Sequence, residues 1–144
     1  KNYKSTKEVL EILCGVVGKG GNYLFNIGPK GDGSVPEETV KLMHEIGAWL
    51  KVNGEAIYGT QASPIIDLPF KGACTSKEGY LYLHLFEAPE GGKIDLGSSY
   101  PISKATWLDG GKKIKVQKKD GTYIIECGSQ LPDTLCSIIK LSLK

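Results

Sequence analysis

Between residues 5 and 18 the apolar positions recur at helical spacing. Val9, Leu10, Ile12, Leu13, Val16 and Val17 form one broad face. Ser5 followed by Glu8 predicts a capping box, in which each side chain satisfies the other's free backbone N–H. Gly18-Lys19-Gly20-Gly21 predicts the stop, because glycine tolerates the left-handed conformation that closes a helix. Tyr23-Leu24-Phe25-Asn26-Ile27 then lacks polar alternation and reads as a strand covered on both faces, as in parallel sheets. After the Gly28–Gly33 loop, Pro36 suits the first turn of a second helix, and Glu37 and Glu38 complement its positive end. Val40, Met43, Ile46, Gly47 and Leu50 are its expected inner face, with Leu42 and Trp49 to one side, and Asn53-Gly54 ends it.

From residue 61 the pattern changes. Short β-rich runs are predicted at roughly 71–76, 79–86, 93–96, 102–107, 113–117, 122–127 and 134–143, separated by turn signals such as Asp109-Gly110-Gly111 and Asp120-Gly121. Leu81, Leu83 and Leu85 alternate to one side of their run, with His84 on the other. Strands at this spacing predict an antiparallel sandwich. The fold class is therefore α/β plus all-β, divided at 1–60 and 61–144. One strand between two helices cannot bury both faces or fill its own hydrogen-bond ladder. Residues 1–60 are thus expected to be the end of a larger α/β domain.

Composition narrows the function classes. Hydrophobic residues make up 40% of the 144-residue chain and charged residues 24%, which is ordinary for a globular protein. No apolar run approaches the ~20 residues of a membrane span. All 18 basic residues are Lys, so the bidentate arginine contacts of most nucleic-acid readers are unavailable. Cys14, Cys74, Cys127 and Cys136 fit neither a C-x-x-C zinc pattern nor a dense disulfide framework. Cys14 and Cys127, among apolar residues, read as buried free thiols, while the Cys127–Cys136 spacing also allows a small disulfide loop.

Few residues suggest chemistry by themselves. Gly18-x-Gly20-Gly21 precedes a strand rather than following one, and the Gly28–Gly33 loop lacks the Gly-Lys-Ser/Thr ending of a P-loop. His44 and His84 have no partner at metal-ligand spacing and no nucleophile motif, so both read as structural or surface residues. Glu37 and Glu38 point about 100° apart on a helix and do not form a catalytic dyad. Tyr23, Phe25 and Asn26 are more suggestive: if their strand belongs to a parallel barrel, its C-terminal end borders the mouth of the site, and an aromatic ring there is either a core residue or a platform for the apolar face of a sugar.

A longer pattern supplies context. The run Gly20-Gly21-Asn22-Tyr23-Leu24-Phe25-Asn26-Ile27-Gly28-Pro29-Lys30-Gly31-Asp32-Gly33 resembles the G-G-N-aromatic-L-L-N-I-G-P-x-G-D-G run of the α-L-fucosidases of glycoside hydrolase family 29. The likeness continues through Pro36-Glu37-Glu38, Ile46-Gly47-x-Trp49-Leu50 and residues 53–60, with Phe25 departing from the family's usual Leu. Beyond residue 60 it is loose. The resemblance implies that residues 5–60 are the closing helix–strand–helix portion of a (β/α)8-like (TIM-type) barrel, followed by an antiparallel β-sandwich. It implies a retaining exo-glycosidase that releases terminal α-L-fucose, with an Asp nucleophile and a Glu acid/base.

In the family both carboxylates precede the G-G-N run, so no residue of this chain is assigned a catalytic role, and the chain alone is expected to be inactive. The resemblance makes Tyr23 a substrate contact beside the fucose methyl, with Asn22 and Asn26 as minor contributors. Carboxylate catalysis needs no cofactor and no metal. The expected partners are a fucosylated glycan and the remainder of the barrel, with oligomerisation open and neither nucleic acid nor a membrane span implied. A secreted, periplasmic or lysosomal-type compartment fits the family. Two alternatives remain at this point: a non-catalytic carbohydrate-binding module, and a subunit completing a split barrel.

Overall fold

The structure, a computed structural model, describes residues 5–20, 37–65 and 67–144. The expected barrel strand at 23–27, with Gly21 before it and the Gly28–Gly33 loop after it, lies outside the described residues. Helix α1 spans Thr6–Gly18, with the predicted capping box: Ser5 accepts from the Glu8 backbone N–H, and the Glu8 carboxylate accepts from that of Ser5. Helix α2 spans Glu37–Asn53 and runs into a single 3-10 turn at Gly54–Ala56.

Eight strands follow: β1 (Gln61–Ala62), β2 (Gly72–Lys77), β3 (Tyr80–Leu85), β4 (Lys93–Asp95), β5 (Ile102–Trp107), β6 (Lys113–Lys119), β7 (Thr122–Glu126) and β8 (Ser137–Leu143). All pairings are antiparallel, in the order β1-β2-β3-β8-β5-β6-β7-β4. Strand β6 makes the corner. Its Lys113 and Ile114 pair with β5, whereas Lys115–Lys119 pair with β7. The sheet therefore curls over a single core, in which Cys74, Leu81, Leu83 and Leu85 meet Ile94, Trp107, Ile125, Ile139 and Leu141. The seven strands expected from the sequence are present within a few residues, and the two-residue β1 is additional.

The outer face of β2, β3 and β8 is apolar too. Ala73, Tyr82 and Ile138 pack with Leu10 and Cys14 of α1, Trp49 of α2, and Ala56 and Ile57. Strand β3 is consequently buried on both sides from Leu81 to Leu85, with alternate residues serving the two cores. Close approach fixes the contact. A Cβ on Gly18 would lie 2.8 Å from the Cys74 carbonyl oxygen, and the Gly18 carbonyl accepts from the Ser63 N–H at 2.7 Å.

One expectation is corrected. The buried side of α2 carries Thr39, Trp49 and Asn53, with Ile46 and Leu50 half-buried, whereas Val40 and Met43 are exposed. The indole of Trp49 decides the orientation, because its Nε1 donates to the Cys136 carbonyl at 2.8 Å and satisfies both buried groups. Val40 and Met43 leave that side of α2 open among the described residues, with Met43 at the edge of the groove that α2 shares with α1. No helix among the described residues is long and apolar enough to cross a membrane.

The β2–β3 contact gives a direct test. A Cβ added at Gly72 would fall 1.8 Å from the His84 carbonyl oxygen, which backbone movement alone can relieve. Gly72→Ala is expected to cost about 3 kcal/mol or more, measured by chemical denaturation of the purified protein.

Candidate functional site

The seam between the helices and the outer sheet face holds a set of polar side chains that tie the two together. At its rim, Glu55 follows the end of α2 and is reached by two groups from the sheet. Lys140 forms an ion pair with its Oε2, and the Tyr82 hydroxyl donates to the same oxygen at 2.6 Å. The Lys140 ammonium, and then the Tyr82 hydrogen bond, hold the Glu55 carboxyl below the usual carboxylate range, while burial and the Glu55 charge push the Tyr82 phenol up. The Lys140 ammonium also lies 4.5 Å from the Tyr80 ring centroid. Elsewhere on the seam, Thr6 donates to Glu45 at 2.7 Å, joining α1 to α2. Lys7 donates to the carbonyls of Phe86 and Leu135 at 2.7 and 3.0 Å, joining α1 to the sheet.

The interior of the seam is more unusual. His84 is fully buried, and burial lowers its pKa to about 3, so the imidazole is neutral. Thr75 Oγ1 donates to the Ala56 carbonyl at 2.6 Å and lies 2.9 Å from His84 Nε2. Its one hydrogen is committed to Ala56, so Nε2 must carry the ring hydrogen and donate to Thr75. Nδ1 is then a bare lone pair, and it is buried without a partner. Cys14 Sγ and Cys136 Sγ stand 4.0 Å apart nearby, and these two sulfurs and a ring nitrogen of His84 all lie within 4.8 Å of one another. The contact with Cys136 and burial raise the Cys14 pKa, keeping the thiol protonated.

All four cysteines are free, so the Cys127–Cys136 loop closure that the spacing allows is not formed; Cys136 faces Cys14 instead. The sequence reading missed this convergence because 14, 84 and 136 are separated by chain lengths that no local ligand motif spans. Alternation did place His84 opposite the leucines, which was the one available signal.

Between α1 and α2 lies an apolar groove of about 380 Å³, lined by Val9, Leu13, Met43, Ile46, Leu50 and Tyr58 among others. Tyr58 and Met43 are exposed at its edge. The expected sugar contact Tyr23, and Asn22 and Asn26 beside it, lie outside the described residues. The described acidic groups at the seam, Glu8, Glu45 and Glu55, have structural partners.

Comparison with known proteins decides the lineage of this arrangement. The family model described as Alpha-L-fucosidase matches residues 1–55. The whole chain superposes on the α-L-fucosidase isoenzyme 1 of Paenibacillus thiaminolyticus with a TM-score of 0.87 and 30% identity, covering 100% of this chain and 36% of that one. This chain belongs to the α-L-fucosidase family. The α-L-fucosidase of Vibrio sp. strain EJY3 matches in the same way, with a TM-score of 0.85 and 31% identity over 100% of this chain and 27% of that one. In sequence, the α-L-fucosidase of Dictyostelium discoideum is 31% identical over 121 residues, which is 80% of this chain and 26% of that protein. The chain thus spans about a quarter of the length of the curated α-L-fucosidases it matches. The superpositions extend through the β region, where sequence likeness was loose, so the helices and the curled sheet are together a piece of the α-L-fucosidase fold.

The Glu55 cluster predicts a pH effect. The folded-state pKa of Glu55 is lowered, so its contribution is present above the unfolded carboxylate value of about 4.3 and is lost as pH falls through the folded value. Glu55→Gln is expected to cost no more than about 1 kcal/mol at neutral pH, because the pair is partly exposed. The gap from wild type should close in acid, read by denaturation series at several pH values.

Proposed function

We propose that this chain is the C-terminal part of a retaining exo-α-L-fucosidase, supplying the closing portion of the catalytic barrel (1–60) and a β-sandwich (61–144) that supports it. The observation that carries this reading is the superposition of the entire chain on the Paenibacillus thiaminolyticus enzyme at 30% identity. In this reading the substrate is a glycan ending in α-L-fucose. The reaction is a double displacement by two carboxyls about 5–5.5 Å apart, one attacking the anomeric carbon and the other serving as acid and then base. Both carboxyls come from the rest of the barrel. No Asp or Glu in residues 1–144 matches the family's catalytic motif, and Glu45 and Glu55 are engaged in holding helices and sheet together.

Tyr23 is proposed to stack on the apolar side of fucose near its methyl group, with Asn22 and Asn26 supporting the strand end. The groove between α1 and α2 and the exposed Val40–Met43 stripe suit burial against the remaining barrel helices, since a solvated helix seldom carries such a stripe without a partner.

Two measurements test the reading. The purified 144-residue chain should give no turnover of an aryl α-L-fucoside, whereas the full-length protein should turn it over. In the full-length protein, Tyr23→Ala should raise KM by about tenfold, the worth of one aromatic contact. Robust turnover by the isolated chain would refute the placement of the carboxyl pair.

A further inference from the structure

The interior of the helix–sheet seam brings together a donor set that no local motif announces. The geometry points to a buried zinc-class metal site formed by Cys14, His84 and Cys136. The three residues come from α1, from β3 and from the segment leading into β8, and all are buried among the described residues. Two sulfurs at 4.0 Å are close to the separation that two thiolates take around one ion, given metal–sulfur bonds of about 2.3 Å. The imidazole has a ring nitrogen within 4.8 Å of both sulfurs. Its Nε2–H is held by Thr75, which is in turn anchored on Ala56, and Nδ1 is left as an unpartnered, buried lone pair. An outer partner on one ring nitrogen that frees the other is how metal-binding histidines are oriented.

Charge selects the ion. Two thiols and a neutral imidazole binding Zn2+ release two protons and leave a neutral complex, so no net charge is buried, whereas Cu+ with the same two thiolates would leave one negative charge in an apolar core. Zinc takes four ligands, and these side chains supply three of them. Cysteine binds such an ion as the thiolate, so binding exchanges thiol protons for metal without redox change. The site would clamp α1 to two central strands of the sheet, joining segments separated by 122 positions in sequence.

The test uses the full-length protein, purified under reductant, stripped with chelator and titrated with Co2+ as a spectroscopic probe. One equivalent should produce a thiolate-to-cobalt charge-transfer band that Zn2+ abolishes, with about two protons released per Zn2+ bound. X-ray absorption on the zinc form should show two sulfur neighbours. Thr75→Val should weaken zinc binding by about 10–100-fold. His84→Gln, which keeps a donor toward Thr75 but removes the Nδ1 lone pair, should weaken it further. The wild-type spectra stand even if a variant fails to fold. Absence of the charge-transfer band in the reduced wild-type protein would overturn the site. A Cys14–Cys136 disulfide in protein isolated without reductant, or an undiminished band in Cys136→Ser, would overturn it as well.

Discussion

Strand β3 is buried on both of its faces from Leu81 to Leu85, and that constraint organises the molecule. Leu81, Leu83 and Leu85 need one cover and Tyr82 and His84 another. The curled sheet supplies the first by folding back through β6 until Ile94 and Ile125 meet the leucines. It cannot supply the second, and the two helices do. A sheet with one wet face would have needed no helical roof. The helices are therefore held by the sheet's own chemistry, with Gly18 allowing α1 to approach the β2 backbone and Trp49 satisfying the Cys136 carbonyl.

This dependence explains why the boundary near residue 60 is so visible in sequence and so closely packed in space. Texture changes from helical to β periodicity at that point, yet the second core draws on both sides of it, from Leu10 and Trp49 to Tyr82 and Ile138. Under the proposed function, such a shared core would serve as a mount for the barrel. The helices that would position the final barrel strand are fixed against a sheet whose own interior is independently filled.

Local signals were legible and convergent ones were not. Ser5 and Glu8 declare the start of α1 because a capping box is complete within four residues. The alternation of the leucines in β3 likewise declares its inner face. The orientation of α2 was misread because Val40 and Met43 are as apolar as Ile46 and Leu50, and hydrophobicity alone cannot say which stripe meets a described neighbour. A single indole hydrogen bond settled it. The Cys14–His84–Cys136 convergence depends on strand order, in which β8 lies beside β3 although about fifty residues separate them, and no window of sequence contains that fact. The proposed sugar contact at Tyr23 rests on the family motif, since that segment lies outside the described residues.

The position of β8 has a consequence for biosynthesis. It is the last strand described, yet it lies between β3 and β5, contacting both along their length. A ribosome delivers the β2–β3 hairpin and the β5–β6–β7 meander well before the piece that joins them. Until then each half carries an open edge, and the leucines of β3 lack their neighbours Ile139 and Leu141. The nascent chain thus waits with two unfinished sheets, and its closing stitch is also the segment that brings Cys136 to the helices.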